Sequence, residues 1–327
     1  MSPDLERELK RWRRWLVIAL LLLCAAGLRH HLVWGGGERA PWLAQVLNAF
    51  EGLCLCAFAG LGGVAWLRAM ALLQGQDVAL KRLITFSLPI LVAAVLVPCF
   101  LTADPIDYVM RGRILALHDG NPYRDVAIDY PSDPFVEFGD RGWKHMPLPY
   151  GPLVANLQGV IAWLANLLPV GPRVELITAL VLFKLVFAGA LVACAVVAAR
   201  IAAHMHAGRG AWAFVAVLWN PLLLNDCLAN AHNDSLVLLC VLLAILAAMS
   251  SRFGGMVVAL CLGVMTKVVP AVLGPIWLVT AWRRGKLPQV AMALLICAAI
   301  VGAFYLQFFV EVGYAATLEQ QNNLTGA

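Results

Sequence analysis

The sequence predicts an all-α, polytopic membrane helix bundle. Of its 327 residues 62% are apolar and 13% charged, against roughly a quarter charged in a soluble domain. Runs of about twenty apolar residues recur along the chain, the length a bilayer-spanning helix needs. Inside hydrocarbon the backbone can satisfy its polar groups only as helices or as a closed barrel, and runs this long read as helices. The Lys and Arg residues gather in short segments beside the runs, where they act as topology signals. The net charge of +5 therefore does not call for nucleic acid. Residues 1–327 read as a single transmembrane domain.

The N-terminal basic cluster from Arg7 to Arg14 precedes the first apolar run without a small-residue cleavage site after it, the pattern of a retained signal anchor rather than a removed signal peptide. Spans are expected at 15–34, 46–73, 83–101, 174–198, 211–228, 235–249 and 289–310. Two further stretches admit two readings. Segment 152–170 is apolar but short and carries Asn156, Gln158 and Asn166; segment 254–282 is interrupted by Thr266, Lys267 and Pro270, and proline bends or breaks a helix. If 152–170 lies along the outer interface and 254–282 is a bent hairpin, the basic groups share the inner side. If both cross once, Arg200, His204, His206, Arg209 and Arg252 fall outside. The positive-inside rule favours the first arrangement, which puts the loop after Leu101 and the polar segment 220–234 on one outer face, where they can build one site. The nine cysteines lie in or beside apolar runs with no CxxC pair and read as small buried hydrophobes.

The loop 102–151 is far longer than a connector requires, and loops of that length are usually functional. It begins with a helix marked at both ends: Asp104 as cap, Pro105 at the first helical position, and Gly120 and Pro122 as the stop. Ile106, Val109, Met110, Ile114 and Leu117 share one face, as in a helix lying on the bilayer, with Asp107 and Arg111 on the wetter side. Asp104 has two readings, a cap for backbone donors or a base that takes a proton from an acceptor hydroxyl. Asp107 is either a dipole partner paired with Arg111 or a second acid, and Arg111 or Arg113 can offer charge to a phosphate. The remainder is rich in Pro, Tyr and Trp. Tyr123, Tyr130, Trp143 and Tyr150 can present faces to sugar rings or form a headgroup-level aromatic belt.

The segment 220–234 holds Asn220, Asn225, Asp226, Asn230, His232, Asn233 and Asp234 at the end of two consecutive spans, and polar groups at that depth are costly. Asn233 and Asp234 can cap the next helix; His232 can bond a leaving phosphate, supply a proton or bind a metal, although one His without a second at i+4 is a weak metal signal. Lys267 needs a negative partner, a lipid phosphate or a carboxylate such as Glu51. Lys184, inside another span, reads as structural or snorkelling.

These residues resemble the GT-C class of membrane glycosyltransferases, specifically the polyprenyl-phosphomannose-dependent α-mannosyltransferases that include the α-1,6-mannosyltransferases of lipomannan assembly. The likeness covers most of the chain and rests on Asp104 with Tyr108, the segment ending at Tyr123 that contains Asn121, the DPF of Asp133 to Phe135, Trp143, the PYGP around Tyr150, the NP at Asn220, the AHND ending at Asp234, and Lys267 with Pro270. The resemblance implies a GT-C-like bundle with interfacial helices in a large outer catalytic loop, 102–170, and an inverting transfer of a sugar, mannose first, to a glycan or glycolipid acceptor on the outer face of the plasma membrane. Asp104 would be the base, with Asp107 as the competing candidate. Lys267, His232, Arg111 and Arg113 would bind the donor phosphate, and Tyr108, Asn121, Tyr123, Trp143, Tyr150, Asn233 and Asp234 the sugars. Partners would be the polyprenyl-phosphate-linked sugar, the acceptor and membrane lipid. No metal ligand set is assigned and no cofactor is required, a divalent metal remaining compatible. The family pattern runs on beyond residue 327, so the resemblance implies either a C-terminally truncated domain or a short divergent member lacking part of the acceptor site.

Two other classes compete. A lipid-linked-sugar flippase or transporter would use Lys184, Lys267 and Glu51 as pathway residues and the acidic loop as a gate, and would be favoured by inverted repeats, which the chain does not show. A noncatalytic membrane subunit would tolerate loss of Asp104.

Overall fold

The computed structural model describes residues 1–34, 41–139 and 142–309. Twelve helices can be followed among them: α1 (Pro3–Trp34), α2 (Pro41–Leu73), α3 (Leu80–Leu96), α4 (Asp104–Leu117), α5 (Pro152–Asn166), α6 (Pro172–Met205), α7 (Gly210–Leu218), α8 (Pro221–Ala229), α9 (Asp234–Met249), α10 (Phe253–Val264), α11 (Gly274–Arg283) and α12 (Leu287–Phe309). No strand occurs among the described residues. Three segments are long and apolar enough to cross a bilayer, Leu43–Leu73, Pro172–Met205 and Leu287–Leu306, and α7 with α8 makes a fourth if that pair crosses as one. They fall on the expected spans 46–73, 174–198, 289–310 and 211–228; Val310, which ends one of those, lies outside the described residues.

The chain divides into two compact units. The first comprises Met1–Thr102 and Lys184–Ser235. Its core is built where α1 and α2 pack along stripes three and four residues apart: Leu16, Ala19, Leu20 and Leu23 on one helix, Ala65, Ala69 and Leu73 on the other, all fully buried. The expected span 83–101 is a helix only to Leu96. Lys184 closes that end, donating to the carbonyl of Val95 at 3.3 Å and to that of Val97, the structural role expected of it. Trp219 donates to Ser87 at 2.8 Å, so a buried indole N–H and a buried hydroxyl satisfy each other. The expected span 211–228 is broken: α7 and α8 meet at 41°, because Pro221 cannot continue α7 and Asn220 starts the next helix by accepting the Leu222 N–H at 2.9 Å. Glu51 pairs with Arg29.

The second unit comprises Ala103–Phe183 and the chain from Leu236 onward. One core is formed by Ala244, Ala248, Phe253, Met256, Val290 and Ala293. Segment 254–282 is interrupted as its Pro and Lys suggest, with α10 ending at Val264 and a short 3-10 turn, Val269–Leu273, leading into α11. A cavity of about 440 Å³, almost wholly apolar, is lined by α10, α11 and α12 through residues such as Met256, Leu260, Trp277, Leu294 and Tyr305. Helices α4 and α5 cross in direct backbone contact, since a Cβ on Gly112 would stand 2.2 Å from the Gln158 carbonyl oxygen. That contact covers α4. Asp107 and Arg111 are 8% and 3% exposed, so they lie inside the protein rather than on a wet face. Between α4 and α5 the long loop is pinned by three 3-10 turns, Ala127–Asp129, Pro134–Glu137 and Trp143–His145.

Candidate active site

Helix α4 opens differently from the expectation. The cap position belongs to Ala103, with no side-chain capping bond, and Asp104 and Pro105 are already helical. Asp104 is thus the first helical residue rather than the cap. One turn on, Tyr108 lies on the same face of the helix, 1% exposed. Its hydroxyl donates to that of Tyr150 at 3.4 Å, and the Tyr150 hydroxyl donates to Asp104 Oδ2 at 3.5 Å. Both are long for O–H···O bonds. The Tyr108 ring meets Tyr150 edge-on at 5.5 Å and Phe183 at 5.6 Å. Lys267 places Nζ 5.8 Å from the centre of the Tyr150 ring, within cation–π range. Residues 104, 108, 150 and 267 thereby meet around one aromatic ring.

That ring is fixed from several sides. The Tyr123 hydroxyl donates to the Tyr150 carbonyl at 2.9 Å. The Gly151 N–H donates to Thr266 O at 3.1 Å and the Leu153 N–H to Met265 O at 3.1 Å, a two-bond backbone clamp onto the turn that carries Lys267. Only glycine fits at the clamp, because a Cβ at 151 would lie 2.1 Å from Met265 O. Tyr123 is itself 5% exposed and packs edge-on against Phe308 at 4.9 Å. Asn121 donates to Phe308 O at 2.7 Å and accepts the Tyr123 N–H at 3.0 Å. Two residues expected to meet sugar are therefore spent on holding the loop. Trp143, 36% exposed, keeps an open face.

The two arginines of α4 differ. Arg111 Nε donates to Asp107 at 2.5 Å, while its Nη2 is buried with no hydrogen-bond partner among the described residues. Burial pushes the Asp107 carboxyl above its ordinary range, against the pull of Arg111 and with a lesser push from the charge of Asp104. Arg113 is committed: its Nε bonds Asp133 at 2.9 Å, another nitrogen bonds Glu175, and its guanidinium sits 4.1 Å over the Phe135 ring. His118 Nε2 reaches the same Asp133 at 2.7 Å and stacks on Tyr130 at 4.6 Å. The expected role of Arg113 on the donor phosphate gives way to these pairings, and the sequence pattern carries no signal for His118 or Glu175 as its neighbours. Glu175 lies 62 positions from Arg113, beyond any local pattern.

The Asp133 network yields a stability prediction. Burial opposes its charge, but His118, the Phe135 N–H and Arg113 outweigh that and hold the carboxyl below the usual range. A depressed folded pKa means that this stabilisation is complete above the unfolded carboxylate value of about 4 and is lost as pH falls through the lower folded value. Asp133→Asn leaves Arg113 half-paired and is expected to cost about 3 kcal/mol at neutral pH, read as a lowered midpoint of thermal unfolding in detergent. An unchanged midpoint would mean that Glu175 alone suffices for Arg113.

The other predicted constellation belongs to the first unit. His232 Nδ1 meets Asp226 Oδ1 at 2.8 Å, and Asp226, His232 and Asp234 offer ligand atoms that all lie within 4.8 Å of one another. One imidazole and two carboxylates suit a divalent cation such as Mn²⁺ or Mg²⁺. Asp226 was not singled out as the partner of His232: six positions is not a helical repeat, and the π-helical turn Leu224–Ala229 is what returns it. Asn233 is fully buried, and Asn230 accepts the Leu101 N–H at 3.3 Å. The two constellations fall in different compact units.

Helices long and apolar enough to cross a membrane, with no strand among the described residues, define an all-α membrane helix bundle. Residues 15–284 match the family model described as alpha-(1->6)-mannopyranosyltransferase, N-terminal domain, and the chain belongs to that family. It is 27% identical over 181 residues to the alpha-(1->6)-mannopyranosyltransferase A of Corynebacterium glutamicum, an alignment covering 54% of this chain and 35% of that relative. The chain thus matches about a third of the relative's length. No solved structure matches it.

Proposed function

We propose that this protein transfers mannose from a polyprenyl-phosphate donor to a glycan or glycolipid acceptor on the outer face of the plasma membrane, with inversion at the anomeric carbon. The single observation that supports this most is the meeting of Asp104, Tyr150 and Lys267. Asp104 takes the proton of an acceptor hydroxyl. The resulting oxygen attacks the anomeric carbon, and the sugar–phosphate C–O bond breaks with its electron pair going to the phosphate. Lys267 and the unbonded nitrogen of Arg111 counter the charge that develops on the leaving group. Because the donor cannot leave the bilayer, base and cation have to be held beside it.

Asp104 is preferred to Asp107 as base, since Asp107 is buried and already spent on Arg111. Arg113 is reassigned to the Asp133 network, and Asn121 and Tyr123 to fixing the loop. Trp143 remains a candidate face for sugar, and Asp226, His232 and Asp234 of the first unit a candidate divalent-cation group. A transporter gains nothing from the geometry: Glu51 is paired with Arg29, and Lys184 is bound to backbone carbonyls.

The test is a donor screen of the purified protein, with polyprenyl-phosphate sugars offered in parallel alongside a glycolipid acceptor. A glycosidic product from the mannosyl donor is expected, with at most weak use of other hexoses. Movement of intact donor across vesicles without a new glycosidic bond would overturn the reading in favour of a flippase.

A further inference from the structure

Tyr150 carries more contacts around Asp104 than a sugar-stacking residue requires. Its hydroxyl stands between two partners: it receives the Tyr108 proton and gives its own to Asp104. Its face receives the Lys267 ammonium. Its carbonyl is held by Tyr123, and the residue after it is clamped to the backbone just before Lys267. A phenol has one proton. Once Tyr108 donates to the Tyr150 oxygen, the Tyr150 proton is directed to Asp104, so the three groups form an ordered chain. The rim of the ring thus orients the acid while its face orients the cation.

We infer that Tyr150 is the positioning residue of this site, one rigid side chain that sets where the Asp104 carboxylate points and how far it stands from the Lys267 ammonium. The inference rests on the reading of Asp104 as base, and adds to it how a residue at 104 and one at 267 are kept in register. A benzene ring suits the task because it has few rotamers and cannot collapse, whereas a longer flexible linker would lose the spacing. Among the described residues of this unit, Asp104 is met by the charge of Asp107 and by the Tyr150 hydroxyl, with the Tyr108 hydroxyl behind the latter and Lys267 on the face of the same ring.

The test reads Asp104 directly. In reconstituted protein, the infrared difference between wild type and Asp104→Asn isolates the Asp104 carboxyl band, which is then titrated with pH. A hydrogen bond from a phenol favours the charged carboxylate. Tyr150→Phe, measured against Tyr150→Phe with Asp104→Asn, is expected to move the midpoint up. Replacing Tyr150 with 3-fluorotyrosine, a stronger donor of the same shape, should move it down, and this variant carries the test should the phenylalanine variant fail to fold. The acidic limb of kcat/KM should follow in the same directions. Tyr150→Leu, which also removes the ring face, should in addition raise KM for polyprenyl-phosphomannose, whereas Tyr150→Phe should leave it near wild type. A midpoint that stays put under fluorination, or equal KM in the Leu and Phe variants, overturns the positioning role. If Asp104→Asn keeps turnover while the band still shifts, the base assignment fails and the positioning contact stands; an inactive Asp104→Asn with an immobile band refutes the positioning role alone.

Discussion

Asp104→Asn is expected to abolish the proposed mannose transfer in membranes while leaving the amount and thermal stability of the protein unchanged. Asparagine keeps the shape and the Tyr150 contact but cannot take a proton at neutral pH, and loss of a general base costs roughly 10² to 10⁴ in rate. Little stability cost is expected, since asparagine keeps the size and the acceptor oxygen of Asp104 and the cap position belongs to Ala103. The comparison is Asp107→Asn, which deprives the buried Arg111 of its charged partner and should lower the unfolding midpoint. Initial rates with polyprenyl-phosphomannose, set beside melting curves for both variants, separate the two acids. Turnover retained by Asp104→Asn and lost by a stably folded Asp107→Asn would move the base to Asp107.

Gly151→Ala is the second large effect expected, from a single methyl group. The added carbon would sit 2.1 Å from the Met265 carbonyl oxygen, a distance no real contact tolerates, and both partners are backbone held by hydrogen bonds at 3.1 Å. Relief requires the loop and the turn after α10 to part, which breaks the clamp and withdraws Lys267 from the Tyr150 ring. Turnover should fall at least tenfold, with a lowered melting midpoint, as expected where backbone must move to relieve a clash. Gly254→Ala is the control, because its nearest neighbours would be 3.8 Å away and alanine favours helix. Its activity and stability should match or exceed wild type. Wild-type behaviour of Gly151→Ala would show that the clamp does not govern the site.

Much of the fold was legible because it depends on local chemistry. Apolar runs at 46–73, 174–198 and 289–310 fall on helices able to cross a bilayer. Pro221 and Pro270 mark breaks, since proline lacks the donor that a helix interior needs. Part of the candidate site's geometry was legible for the same reason: Asp104 and Tyr108 are one helical turn apart, so their shared face follows from helix geometry. The cap reading of Asp104 failed by one position, the usual uncertainty at helix ends. The wet placement of Asp107 and Arg111 failed because α4 is covered by α5 through Gly112, and a glycine in a helix does not announce what will cross it.

The sequence by itself determined the helical class, the main spans and the acid at the start of α4, because hydropathy, helical period and proline stops act within about twenty residues. Only the tertiary structure decided which arginine is spent, on Asp133 and Glu175, and which keeps an unbonded nitrogen. It also decided that Tyr150 joins Asp104 to Lys267. Pairings of that kind depend on where distant helices dock, and identical charges at identical spacings remain compatible with several partners until packing brings one of them within reach.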